Sequence, residues 1–121
     1  MLVKFENATI IDGSGHAPFE GSVLVGDERI VAVVPAAGGD MHAPNPDTVI
    51  DCEGLTMMPG MTEAHCHISF NDLSSMYQAV EIQPEDHSLI ALANAQMLLE
   101  RGFTSLFSAA SAKPRVDVAV R

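Results

Sequence analysis

The chain has 121 residues, enough for one ordinary domain. Hydrophobic residues make up 47% of it, which supplies a core and argues against wholesale disorder. The formal charge of −10 argues against a nucleic-acid partner, which would need a basic patch, and points to solubility instead.

The first third reads as β. "LVKFENATII" is rich in branched and aromatic residues and ends at the turn cluster "DGSG". "GSVLVGDERIVAVV" holds two β-prone runs around Gly26-Asp27-Glu28-Arg29, which predicts a hairpin with a loop of three or four residues. "PAAGGDMHAPNPD", Pro35 to Asp47, carries three prolines and two glycines and reads as an exposed loop. "TVIDCEG" and "LTMMPG" follow as two short extended segments separated by Glu53-Gly54.

After Pro59 the texture changes. "MTEAHCHIS" reads as a strand leaving a turn, and Asn71 to Gln83 as an irregular stretch. Pro84 to Arg101 is the clearest helix. Pro84 suits its first position, Glu85 and Asp86 suit the positive end of its dipole, and Gly102 supplies the stop. Its apolar arc, which includes Leu89, Ile90, Leu92, Ala93, Met97, Leu98 and Leu99, is wide enough to demand a broad cover, usually a sheet. "FTSLFSAA" reads as another strand, and "KPRVDVAVR" as the beginning of another helix. Strand, helix and strand in that order favour a parallel β-α-β unit. Two parallel strands do not make a stable sheet alone, so the chain is expected to be a segment of a larger fold.

The cysteines, Cys52 and Cys66, are too few for a disulfide framework and are expected to be free thiols in a reducing cytoplasm. The start "MLVKFENATIIDGSG" has no apolar core of secretory type. The most apolar run, "LIALANAQMLL", is too short to cross a bilayer and is interrupted by Asn94 and Gln96, so no membrane association is expected.

The chemistry gathers in "PGMTEAHCHISF", Pro59 to Phe70. On a strand, side chains alternate faces, so Glu63, His65 and His67 share one face, while Thr62, Ala64 and Cys66 share the other and are small enough to lie under a helix. The two imidazoles then stand roughly 7 Å apart at Cβ, close enough for the rings to converge on one ion. Neutral imidazole is a common ligand for zinc and similar metals. A catalytic zinc usually takes about three protein ligands and keeps one open position. His65 and His67 supply two. Glu63 is open to three readings: a third ligand, an acid that orients an imidazole, or a strand residue facing polar surroundings. His16, His42 and His87 are expected to be exposed or locally bonded surface residues.

At these residues the chain resembles the amidohydrolase superfamily of metal-dependent hydrolases. "PGMTEAHCH" is similar to the family's first-strand signature, in which Pro-Gly precedes an apolar stretch, an acid and then H-x-H. The string from Val49 to His67 is the specific part. "NATIIDGSG", "GSVLVGDERIVAVV", "LLERGFTSLFSAAS" and "KPRVDVAVR" follow the family's order of elements, so the resemblance covers nearly the whole chain. It implies an α/β fold: the N-terminal part of a (β/α)8 TIM barrel preceded by a small β-sandwich module. Residues 1–58 would be sandwich strands, and residues 59–121 the first strand, first helix and second strand of the barrel. His65 and His67 would be metal ligands, with one or two divalent ions, zinc foremost, and the other ligands and the proton-shuttle acid lying beyond residue 121. A barrel takes about 250 residues, so the 121-residue segment is expected to be inactive alone.

The implied reaction is hydrolysis of a C–N bond in an amide, urea, carbamate, cyclic amide or dipeptide, with a metal that activates water and polarises the carbonyl. The branch is similar to the imidazolonepropionase- and prolidase-like members, and the resemblance implies a small-molecule substrate and a homo-oligomeric full-length enzyme. Asn71, Asp72 and Tyr77, in the loop from Ser69 to Gln83, are candidates for substrate contact or for local bonding only. The sequence departs from the family pattern at Glu63, where aspartate is usual, and at "SAASAKPR", where many members show an Arg-Asp pair. Two other readings stand beside this one: a non-catalytic fragment or interaction module with an idle H-x-H, and a module that stores or senses metal through His65, His67 and Cys66.

Overall fold

A computed structural model describes residues 1–38, 45–70 and 74–121. The chain divides into two compact units, Met1–Pro59 and Gly60–Arg121.

The β-branched and aromatic runs of the first unit form β1 (Leu2–Ile10), β2 (Phe19–Gly26), β3 (Arg29–Pro35), β4 (Thr48–Asp51) and β5 (Thr56–Met57). They make one mixed sheet in the order β3-β2-β1-β4, with β5 also on β1. β1, β2 and β3 run antiparallel, whereas β4 and β5 pair with β1 in parallel. One face buries Ala8, Ile10, Val23 and Cys52, with Phe5, Phe19, Val25 and Met57 packed against them. The described strands of this unit therefore form a single sheet. The hairpin differs from expectation. Gly26 pairs directly with Arg29, so its loop has two residues, and Asp27 takes up the tight turn with a φ of 51°.

The second unit contains β6 (Met61–Cys66), α1 (Met76–Glu81), α2 (Pro84–Glu100), β7 (Phe103–Ser108) and α3 (Val116–Val120). β6 and β7 pair in parallel with α2 between them in sequence, which is the β-α-β unit that the element order suggested. Local chemistry sets the bounds of α2. Pro84 occupies its first turn with Glu85 and Asp86, Arg101 caps it, and Gly102 leaves it at a φ of 90°, a conformation costly for any residue with a Cβ. Gly60 meets a different demand: a Cβ there would overlap the Thr104 side chain. Glycine lets the chain enter β6 against the neighbouring strand.

Cys66, Ile68, Ala91 and Val116 form the core of this unit, with Leu98 and Val120 against it. The cover on α2 is narrower than its apolar arc suggested. His87 and Ala91 are buried and Asn94 and Leu98 half-buried, a stripe at the i, i+4, i+7 and i+11 spacing of one helix face. Leu89, Leu92, Met97 and Leu99 remain exposed, because among the described residues α2 packs on a two-stranded sheet and the short α3. Helix α1 was not expected. It has no acidic residue in its first turn and no side-chain cap, so its local signal is weak. It is held from outside: Ala79 is buried, and Lys113 donates its Nζ to the Val80 carbonyl at 2.7 Å, near the helix C-terminus. No helix among the described residues is long and apolar enough to cross a membrane.

Candidate metal centre

His65 lies on β6 and His67 one residue past its C-terminal end. The pairing with β7 shifts register between Glu63 and Cys66, three residues along β6 facing two along β7. Such a bulge breaks strict alternation and re-aims side chains locally. Within this stretch the Glu63 carboxylate accepts the His65 backbone N–H at 3.1 Å. Among the described residues no third histidine, cysteine, aspartate or glutamate joins the pair.

The two imidazoles converge. Their Nε2 atoms stand 3.3 Å apart and the rings meet edge to face, with centroids at 5.1 Å and planes at 75°. Two nitrogens each about 2.0–2.1 Å from a tetrahedral zinc lie about 3.3–3.4 Å apart, so the spacing fits two ligands of one ion. The opposite side of the His67 ring fixes its tautomer. Nδ1 lies 3.1 Å from the Ala110 carbonyl, which can only accept, so Nδ1 carries the hydrogen and Nε2 keeps its lone pair. Phe70 stacks on the same ring at 4.8 Å and 5°.

The loops that follow the two strands are laced together around His67. Ala109 donates its N–H to the Cys66 carbonyl at 2.8 Å, and Ala112 donates its N–H to the Ser69 hydroxyl at 2.7 Å. The bond from His67 to Ala110 lies between them. Ser69 is fully buried, and Asn94 of α2 donates to the Ile68 and Phe70 carbonyls on either side of it. Neither Ser69 nor Asn94 stood out in the sequence; the available signal was that Asn94 falls at helical spacing between Ala91 and Leu98.

Cys66 is buried against α2, away from the imidazoles. Burial, and after it the charge of Glu63, pushes its thiol above the ordinary value, the reverse of what a thiolate ligand needs. Thr62 and Ala64 are exposed rather than covered as expected, since the core reaches β6 only at its end. A groove of about 540 Å³ opens on the Cys66 side, lined by Ile68, Ala95, Ser108, Asp117 and Arg121 among others; neither His65 nor His67 lines it.

The remaining candidates separate. His16 is exposed and bonded locally to Ser14, as expected. His87 is not the surface residue the sequence suggested: it is fully buried, and neither ring nitrogen has a partner among the described residues. Desolvation, and after it the positive charge of Lys113, holds its imidazole below the usual value. Tyr77 sits on α1, 85% exposed, rather than in a loop. Asn71, Asp72 and His42 lie outside the described residues.

No protein-family model matches the chain. Among curated proteins, a dihydroorotase of Chlorobaculum tepidum is 27% identical over 117 residues, covering 97% of this chain and 24% of that protein. An imidazolonepropionase of Micrococcus luteus is 31% identical over 80 residues, covering 65% of this chain and 19% of that protein. Among solved structures, a prolidase complexed with N-methylphosphonate-L-proline shares the fold at a TM-score of 0.75 and 24% identity, over 90% of this chain and 26% of that one. The chain thus spans about a quarter or less of the length of these relatives. Likeness of sequence along almost its entire length and likeness of fold agree with the Pro-Gly and H-x-H string, and together they support the amidohydrolase superfamily as the group this chain is similar to.

Proposed function

We propose that these residues serve a metal-dependent hydrolase of C–N bonds, in which His65 and His67 hold a divalent ion, zinc foremost, through their Nε2 atoms. The observation that carries the reading is the 3.3 Å Nε2 separation, together with a His67 tautomer that leaves Nε2 bare. The relatives named dihydroorotase, imidazolonepropionase and prolidase support a C–N bond in a small amide-like substrate. In this reading residues 1–58 contribute strands to a composite β-sandwich. Residues 59–121 supply the first strand, first helix and second strand of a (β/α)8 barrel, whose chemistry sits at the C-terminal ends of the strands. The position of His67 just beyond the end of β6 suits that arrangement.

When bound, the metal would polarise the scissile carbonyl and acidify water. The chain's own residues do the holding. Ala110 fixes the tautomer of His67, Phe70 covers one face of its ring, and Glu63 fills the His65 amide so that the bulge keeps its shape. Two ligands are too few for a catalytic zinc, so further ligands and the proton-shuttle group come from other strands of the barrel.

The test is a hydrolysis screen of amide, urea, carbamate, cyclic amide and dipeptide substrates with the full-length protein, before and after chelation. Activity lost with the metal and restored by zinc supports the reading. Hydrolysis indifferent to chelation and to replacement of both histidines contradicts it.

A further inference from the structure

Asn94 has no part in the superfamily signature, yet its side chain holds the backbone next to the candidate metal centre. Its Nδ2 donates to the Ile68 carbonyl at 2.7 Å and to the Phe70 carbonyl at 3.2 Å. Both partners can only accept, so the amide has one orientation, with its NH2 toward the loop. The two carbonyls flank Ser69, whose buried hydroxyl takes the Ala112 N–H. Phe70, fixed at its backbone in this way, lays its ring flat against His67. His67 in turn gives its Nδ1 hydrogen to Ala110, in the same loop as Ala112. A continuous path of contacts therefore runs from the buried stripe of α2, through the Phe70 backbone and ring, to the imidazole that bonds Ala110.

An amide is expensive at this position. It sits on the stripe between Ala91 and Leu98, where an apolar side chain would add to the core. No described strand pairs with residues 67–70: the His67 carbonyl takes the Phe70 N–H, and the Ile68 and Phe70 carbonyls take the Asn94 amide. A single NH2 thus reaches two carbonyls of this short loop and sets where Phe70 lies.

We propose that Asn94 is a positioning residue for His67: through the Ile68 and Phe70 carbonyls it holds the Phe70 ring against the imidazole and keeps His67 in the Nδ1–H tautomer that leaves Nε2 free. The proposal rests on the reading of His67 as a metal ligand only for its consequence. The tautomer is measured without any metal.

The experiment compares the wild-type protein with Asn94→Asp, which keeps the shape of the side chain and removes both donors. Phe70→Leu and His67→Ala run beside it. Nitrogen-15 spectra of the imidazoles in the metal-free protein, at a pH where histidine is neutral, read the tautomer. Competition with a chromophoric chelator reads zinc affinity, and far-ultraviolet circular dichroism checks the fold. The proposal expects one His67 tautomer in the wild type and a mixture in Asn94→Asp and Phe70→Leu. It also expects a loss of zinc affinity of about tenfold to a hundredfold in both variants. A folded Asn94→Asp protein with the wild-type tautomer overturns it. If Asn94→Asp does not fold, an unchanged tautomer in Phe70→Leu overturns it equally. If His67→Ala binds zinc as the wild type does, the metal reading fails, and the tautomer alone still decides the role of Asn94.

Discussion

The Nε2 atoms of His65 and His67 face each other across 3.3 Å, one on β6 and the other just past its end. Neutral imidazoles at this distance are held either by one shared hydrogen or by one shared cation. Because His67 carries its hydrogen on Nδ1, the facing lone pair is available to either. A two-pronged site of this kind acts as a unit. His65→Ala and His67→Ala should each lower zinc affinity nearly as much as the double substitution, a strongly non-additive pattern in competition titrations. Losses that simply add would mean that the two rings bind separately.

Cys66 lies between the histidines in sequence but packs into the α2 side of the sheet. Cys66→Ala should therefore leave zinc affinity unchanged while lowering stability by about 1 kcal/mol, the cost of a small buried deletion. Urea unfolding and the zinc titration read the two effects separately. A large loss of affinity would restore the reading in which the thiol binds metal.

Gly60 enters β6 where a Cβ would run into Thr104. Gly60→Ala should cost about 1–3 kcal/mol, the usual range for forcing atoms into filled space. The double variant Gly60→Ala with Thr104→Ser, which removes a methyl group from the obstruction, should recover part of that loss. Denaturant midpoints of the single and double variants provide the check.

His87 is buried with neither ring nitrogen partnered among the described residues, and desolvation holds its imidazole below 6.5. The sign follows from linkage. The unfolded chain takes up a proton as pH falls through 6.5, whereas the folded chain resists until its own lower value is reached. Stability should therefore fall with pH across that window and level off below the folded value. Lys113 adds to the resistance and Asp86 opposes it. His87→Leu should flatten this part of the stability profile, measured as thermal midpoint against pH, without altering zinc affinity.

What could be read in the sequence was what local chemistry decides. Pro84, Glu85, Asp86 and Gly102 marked both ends of α2, and the spacing of His65 and His67 marked the convergent pair. What escaped was decided by distant segments. α1 depends on Lys113, 33 residues from the carbonyl it bonds, and the surroundings of His87 are invisible in the polar "PEDHS" around it. The apolar arc of α2 reports what the helix could bury, while the described strands decide how much of it is buried within these residues. The bond between the His65 amide and the Glu63 carboxylate lies within a bulge, which shifts the pairing by one residue and leaves no mark in composition.

The most direct test of the account is the metal content of the full-length protein, measured by elemental analysis beside the His65→Ala/His67→Ala double variant prepared in the same way. The account predicts one or two equivalents of divalent metal in the wild type, zinc foremost. It predicts a clear loss in the double variant, with secondary structure preserved. Equal metal in both proteins, or none in a folded wild type supplied with zinc, would contradict the assignment of His65 and His67 as metal ligands.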